Sequence, residues 1–222
     1  GNRTTYTYDA NGQTSSAQKV NKNGVPLESQ TFEIGVDGRS RIHSQTDLLH
    51  HNITVFEYDN NTNQLHSSTT THTSDATDAE HMNEVSTYEI GLDGQARIHD
   101  TVDTLTGNRT TYSYGTDNQI THSSTVNGDG HVIGTADYKK GVDGQSRVHI
   151  STDTTTNNVT TYTYDANNQM HEVVTQNASG AVLKRVRYEI SPVDGRARIH
   201  AVTDELTHTT ESSLRKRLAR RF

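Results

Sequence analysis

Cysteine and tryptophan are absent from this chain of 222 residues, and proline occurs only twice. Without cysteine, the chain can form no disulfide and offers no thiolate as a nucleophile or metal ligand. Hydrophobic residues make up 29% of the sequence, and adding glycine still leaves the total below the roughly 45–50% of globular domains. No apolar run approaches the roughly 18 residues of a membrane-spanning helix, so no membrane span is predicted. These absences exclude a thick core and favour thin apolar layers.

The charge balance excludes one class of partner. The formal net charge is −7 and the pI is about 6.0, which argues against a general nucleic-acid-binding surface. Ten tyrosines, together with many threonine, valine and isoleucine residues, favour β-strands over disorder. The composition therefore predicts an ordered β protein with no nucleic-acid partner.

Four in-phase repeats dominate the sequence. An Asp-Gly pair, followed by Arg, an aliphatic residue and His, returns at spacings of 56, 50 and 51 residues. The copies are VDGRSRIH (36–43), LDGQARIH (92–99), VDGQSRVH (142–149) and VDGRARIH (193–200). A segment such as TTYTYD (4–9 and 160–165) precedes each copy. Self-similarity at a fixed period is typical of repeat architectures.

Asn-Gly and Asp-Gly turns separate alternating segments within each repeat, as in β-hairpins. We predict an all-β fold of four tandem units of about 50 residues, each with four antiparallel strands, forming an elongated ribbon or solenoid-like sheet. A closed four-bladed propeller or a barrel is the alternative. The β domain covers residues 1–205, with units at about 1–51, 52–107, 108–157 and 158–205. Residues 206–222 form a basic tail, in which Leu214, Leu218 and Phe222 predict a short helix.

The Asp-Gly turn also predicts a register. If VDG is a three-residue loop with its glycine in the left-handed conformation, Phe32 faces Ile42 and Glu33 faces Arg41. The same register pairs Tyr88 with Ile98 and Glu89 with Arg97 and, with one extra residue allowed at Pro192, Tyr188 with Ile199 and Glu189 with Arg198. In the third repeat, Lys139 would face Arg147, which is an unfavourable like-charge pair.

The Tyr-Asp turns carry a resemblance to a known family. The segments YDANGQ (8–13), YDNNTNQ (58–64) and YDANNQ (164–169), together with DGR, resemble the YD repeats of the Rhs and teneurin class. The resemblance runs through most of residues 1–205, although the third repeat has YGTDNQ instead. It implies a ribbon of β-hairpins like those of secreted bacterial toxins and animal cell-surface proteins. It also implies a scaffold without that family's self-cleaving or toxin segments.

The strand after each Asp-Gly turn contains the candidate ligand-binding residues. On a regular strand alternate side chains share a face, so Arg, His and Asp of each repeat would lie together. These residues are Arg41, His43, Asp47, Arg97, His99, Asp103, Arg147, His149, Asp153, Arg198, His200 and Asp204. Residues four apart on a strand are about 13 Å apart, so we predict no metal site and no cofactor. Uniform copying also argues against catalysis, and no catalytic residue is predicted. The alternative is that Arg pairs with Glu, while His and Asp form cross-strand hydrogen bonds.

Asn-x-Thr sequons recur in phase at Asn2, Asn52, Asn108 and Asn158. In a eukaryotic secreted protein these asparagines are candidates for glycosylation. The alternative is that the repeat copies the asparagine together with its neighbours.

These features predict a non-enzymatic repeat scaffold, extracellular or at the cell surface, for display, adhesion or fibre assembly. Exposed strand edges invite the addition of further strands. The predicted partners are therefore the chain itself, as an oligomer or filament, or cell-surface glycans. Two alternatives stay open. One is a multivalent lectin with about one site per repeat, and the other is a fragment of a Rhs-type toxin shell.

Overall fold

The computed structural model describes residues 1–72, 83–205, 207 and 209–212. These residues form antiparallel β-strands joined by turns. The chain divides into two compact halves, residues 1–111 and 112–222. Within the described ranges there is no α-helix, and hence no helix long and apolar enough to cross a membrane. The all-β prediction is confirmed.

The strands follow the predicted four-per-repeat pattern. The N-terminal half contains β1 (Arg3–Tyr8), β2 (Thr14–Val20), β3 (Pro26–Ile34), β4 (Ser40–Asp47), β5 (Asn52–Tyr58), β6 (Leu65–His72), β7 (Glu84–Ile90) and β8 (Ala96–Asp103). β9 (Arg109–Tyr114) crosses the boundary in sequence. The C-terminal half contains β10 (Ile120–Val126), β11 (Val132–Lys140), β12 (Ser146–Asp153), β13 (Asn158–Tyr164), β14 (Met170–Gln176), β15 (Val182–Ile190), β16 (Ala197–Asp204) and β17 (Thr209–Ser212).

Within each half, strands pair antiparallel with their neighbours in the chain. The last strand of one repeat also pairs with the first strand of the next, as β4 does with β5 and β12 with β13. In a propeller each repeat would form a separate blade, so these shared ladders rule out the propeller alternative. No pairing among the described residues closes either half into a barrel.

In the first three repeats the Asp-Gly turn adopts the predicted three-residue loop, and in the fourth repeat the loop has the extra residue allowed at Pro192. The N–H of Gly38 donates to the carbonyl of Gly35, and the N–H of Gly35 donates to the carbonyl of Arg39, both over 2.9 Å. Gly38 has a φ of +76°, which is the left-handed conformation that glycine adopts without strain. The predicted pairs all form, including Phe32 with Ile42, Tyr88 with Ile98, Tyr188 with Ile199 and Lys139 with Arg147.

A β-bulge follows each of these turns, and the bulges were not predicted. Phe32 pairs with Ile42 but Thr31 pairs with Ser44, so His43 is the extra residue on β4. The corresponding extra residues in the other repeats are His99, His149 and His200. Because one extra residue shifts the side-chain alternation by one position, each bulge exchanges the faces of the strand beyond it.

Few side chains are buried in the part of the chain that the structure describes. Ala17 is the one buried hydrophobic residue there, and no large side chain is fully buried. The other buried residues described are Gly35, Gly91, Ser68, Ser86, Asp100, Ser123 and Ser191. Small residues therefore occupy the most enclosed positions, in agreement with the thin apolar layers expected from the composition.

β17 lies within the tail predicted at residues 206–222. It pairs with β16 starting from Asp204 against Thr209, just as β13 pairs with β12 starting from Asp153 against Asn158. β17 therefore takes the place of the first strand of a fifth repeat, which was not predicted. The basic helix predicted beyond β17 lies outside the described residues.

Candidate functional site

Arg and His of the repeated motif meet at one glutamate in the first repeat. Nε of Arg41 donates to Oε1 of Glu33 over 2.8 Å, and Nδ1 of His43 lies 3.2 Å from Oε2 of Glu33. In the second repeat, Nε of Arg97 donates to Oε1 of Glu89 over 2.8 Å, and Nδ1 of His99 lies 3.4 Å from Oε2 of Glu89. The predicted Glu–Arg pair is confirmed in both repeats. Each glutamate uses one oxygen for arginine and the other for histidine.

The aspartate of the motif lies on the other face of the ladder. Asp47 pairs with Glu28. Arg41, in contrast, pairs with Glu33. Because the two glutamates are five positions apart on β3, their partners lie on opposite faces. The prediction that Arg, His and Asp share a face is therefore wrong, since the bulge at His43 shifts the alternation. The same register separates Arg97 from Asp103, Arg147 from Asp153, and Arg198 from Asp204.

These aspartates cap the turn that leads into the next repeat. Oδ1 of Asp153 accepts the N–H groups of Thr155 and Thr156 at 2.8 and 3.1 Å. Equivalent N–H groups lie 2.8 to 3.2 Å from Oδ1 of Asp47 and Asp103. The side chains of Thr155 and Thr156, followed by their N–H groups, lower the pKa of Asp153 to about 2. Hydrogen bonds to the carboxylate favour its charged form.

The tyrosine of the Tyr-Asp turn bridges the gap that the bulge leaves. The ladder between β4 and β5 stops at Ser44, and beyond it the hydroxyl of Tyr58 donates to the carbonyl of Ile42 over 2.7 Å. In the C-terminal half, the hydroxyl of Tyr164 donates to the carbonyl of Val148 over 2.9 Å. Both carbonyls immediately precede a bulged histidine. The tyrosine thus satisfies a backbone group that has no ladder partner on that edge.

The arginine lies differently at these two tyrosines. In the N-terminal half, Cζ of Arg41 is 4.1 Å from the ring centroid of Tyr58. In the C-terminal half, Cζ of Arg147 is 6.0 Å from the ring centroid of Tyr164. Arg147 instead forms two hydrogen bonds with Asp143, of 2.8 and 2.5 Å. A cleft of about 320 Å³ lies beside Tyr164, with a lining that includes Lys139, Val142, His149, Tyr162 and Asp165.

The fourth repeat forms only part of the predicted contacts. Glu189 and Arg198 are in register as predicted, but Nη2 of Arg198 binds Oδ2 of Asp194 at 2.8 Å. Nδ1 of His200 lies 2.9 Å from Oε2 of Glu189. Across the part of the chain that the structure describes, no three His, Asp or Glu side chains converge as a metal site requires.

The sequon asparagines stand at or beside the start of the first strand of each repeat. Asn52 pairs with Asp47, and Asn158 pairs with Asp153. Asn2 is exposed, whereas Asn52, Asn108 and Asn158 are half-buried. Their recurrence therefore has a structural basis in the turn that joins two repeats, and glycosylation stays a prediction.

Comparisons with known proteins give structural matches alone. No family model matches the chain, and no curated protein matches it. The chain is similar to a TcdB2–TccC3–TEV crystal structure, with 14% identity, coverage of 92% of this chain and 10% of that chain, and a TM-score of 0.49. It is also similar to the Photorhabdus luminescens Tc holotoxin pore with a TccC3 mutation, with 16% identity, coverage of 92% of this chain and 10% of that chain, and a TM-score of 0.48. A porin-like protein from Bacteroides uniformis matches with 13% identity, coverage of 90% of this chain and 87% of that chain, and a TM-score of 0.35. The chain therefore spans about a tenth of the length of the Tc structures that it matches.

Proposed function

We propose that the chain is a non-enzymatic scaffold of the YD-repeat type, extracellular or at the cell surface, in which β-hairpin repeats extend one another by strand pairing. The observation that carries this proposal is the junction between repeats. The last strand of a repeat pairs with the first strand of the next at β4–β5, β8–β9, β12–β13 and β16–β17. All four junctions have the same register, so the pattern can continue from one repeat to the next.

The motif residues support this scaffold function because each one has a structural role in the strand ladder or its turns. In the first repeat, Gly38 forms the turn, His43 forms the bulge and Asp47 caps the turn that follows. Tyr58 bridges the bulge from the next repeat. A reaction requires one asymmetric arrangement of groups, whereas the bulge recurs in all four repeats and the tyrosine bridge in two of them.

The outer edge of β1 supplies a surface for extension. Within the described part of the N-terminal half, β1 has β2 as its only register partner, and all its residues are exposed. Tyr6 is 51% and Tyr8 is 62% exposed. Tyr58 and Tyr164, which occupy the place of Tyr8 in other repeats, are half-buried. An exposed strand edge accepts a further strand, either from another repeat or from a second copy of the chain.

The lectin alternative has less support. One glycan site per repeat depended on Arg, His and Asp on one face, and the register places Asp on the other. The toxin-shell alternative is a particular use of the same scaffold. Self-association and adhesion stay predictions.

Strand addition at β1 can be tested with an added repeat. A copy of residues 108–157 placed directly before Asn2 keeps the phase, because Asn158 and Asn2 start equivalent segments. We expect amide exchange in β1 to slow and the melting temperature to rise, as for other repeat arrays. A control copy with proline at both Ile150 and Ser151 cannot form the ladder. Equal exchange rates in the two proteins would contradict the proposal.

A further inference from the structure

One ladder position of the third repeat differs from the other three repeats. Lys139 stands opposite Arg147, where the other repeats have glutamate. Those glutamates are Glu33, Glu89 and Glu189. A lysine has no acceptor for the guanidinium, and Arg147 binds Asp143 at the turn. Arg198 of the fourth repeat binds Asp194 in the same way although Glu189 faces it. What is particular to the third repeat is therefore the added cation beside the relocated arginine.

The relocated arginine leaves space over Tyr164. Arg41 lies 4.1 Å from the ring centroid of Tyr58, whereas Arg147 lies 6.0 Å from that of Tyr164. The cleft beside Tyr164 has a volume of about 320 Å³, at the lower end of the roughly 300–1,000 Å³ of small-molecule pockets. Tyr162 also lines it, so the cleft has room for one ring and aromatic surface to contact it.

Among the residues that the structure describes, Lys139 has no carboxylate within ion-pair distance of its ammonium group. Its Nζ lies 2.8 Å from Nε2 of His149. An ammonium group only donates hydrogen bonds, and an imidazole carries no negative charge. The positive charge of Lys139 is therefore not neutralised by this contact.

The other charged residues of the cleft are already engaged. Lys140 binds Asp117 at 2.7 Å, and Arg147 binds Asp143. Asp165 is the one carboxylate among the lining residues, and its Oδ1 accepts two N–H groups of its own turn at 2.8 and 2.9 Å. Among the described residues of the cleft, one cation is left for a ligand.

We propose that this cleft binds a small sugar acid of the uronic acid class, with its carboxylate on Lys139 and its ring against Tyr162 and Tyr164. A single cation matches a monoanion, whereas a phosphate dianion would require a second one. This site belongs to the third repeat alone and does not depend on the scaffold function.

The test compares glucuronate with glucose, which has the same ring without the carboxylate. We expect glucuronate to bind with a Kd lower by about tenfold or more, as measured by calorimetry, and to shift the ring resonances of His149. Inorganic phosphate should bind more weakly than glucuronate. Equal binding of glucose, or equal or tighter binding of phosphate, would overturn the proposal.

Two variants tie binding to Lys139. Lys139→Glu removes the cation and restores the glutamate that the other three repeats have at this position, so glucuronate binding should be lost while the melting temperature is kept or rises. Lys184→Glu makes the same charge change at an exposed position of β15 and should leave the Kd unchanged within about threefold. If Lys139→Glu binds as tightly as Lys184→Glu, the ligand does not occupy the cleft.

Discussion

Tyr58 and Tyr164 show how one hydroxyl can compensate for an irregularity in the ladder. Each donates to a carbonyl that the neighbouring strand does not reach, over 2.7 and 2.9 Å. Burial raises the pKa of both phenols, so the proton needed for this bond is retained at neutral pH. The in-phase recurrence of Tyr-Asp in the sequence could indicate a structural role, but not this partner. The partner depends on the bulge of another strand.

Removing this hydroxyl should destabilise the protein. We expect Tyr58→Phe to lower the free energy of unfolding by about 1–2 kcal/mol, because the carbonyl of Ile42 loses its partner. Urea unfolding measures the change. Tyr8→Phe is the matched control, since Tyr8 has the same place in its repeat but is 62% exposed. Its effect should stay within about 0.5 kcal/mol, and equal losses in both variants would refute the assigned role.

In the hairpin of β3 and β4, the sequence predicts the turn but not the bulge. The Asp-Gly pair indicates the three-residue loop, and the alternation of Phe32, Ile34 and Ile42 selects the register. The bulge at His43 has no comparable signal, because a histidine fits a regular strand equally well. Its position changes the face of Asp47. The shared face was therefore predicted correctly for Arg and His in the first two repeats, where they precede or form the bulge, and incorrectly for Asp, which follows it.

The turn glycine of this hairpin is a direct test of the loop. We expect Gly38→Ala to lower the free energy of unfolding by about 1 kcal/mol, because alanine strains at a φ of +76°. Gly134→Ala in β11 is the control. Gly134 has no positive φ, and an added Cβ would make only an ordinary contact of 3.6 Å with the carbonyl of Thr152. This control should be neutral or stabilising in the same urea assay, and a loss as large as that of Gly38→Ala would contradict the loop conformation.

Lys139 and Arg147 illustrate a second limit of prediction from sequence. Their like-charge pairing follows from the register and was predicted. The cleft was not predicted, because it depends on Tyr164 of β13 and on the position of Arg147 at Asp143.

The strand β17 was not predicted either, since its segment lacks the tyrosines that mark the first strand in the other repeats.

Turn aspartates in both halves make the fold sensitive to acid. The Arg147 side chain holds the pKa of Asp143 at about 2, and threonine hydroxyls hold that of Asp153 at about 2, against a usual value of 3.8. The pKa values of Asp47, Asp59, Asp103, Asp117 and Asp194 are also lowered by hydrogen bonds. A depressed native pKa stabilises the fold above the unfolded pKa, and that contribution is lost as the pH falls through the native pKa.

We therefore expect the urea midpoint to fall as the pH is lowered from about 4 to about 2. The double variant Asp143→Asn and Asp153→Asn should start with a lower midpoint at pH 6 and lose less of it on acidification. Circular dichroism at each pH measures the midpoints. An unchanged midpoint of the original chain across this range would show that the capped carboxylates do not stabilise the fold.

The small buried residues have a consequence for the temperature dependence of stability. In the described part of the chain, serine and alanine occupy enclosed positions and no large side chain is fully buried. Unfolding therefore exposes little fully enclosed apolar surface, which is the main positive contribution to the heat capacity change. A smaller heat capacity change flattens the curve of free energy against temperature. The stability of this fold thus comes from its strand ladders and turn caps, and its free energy of unfolding should change little with temperature.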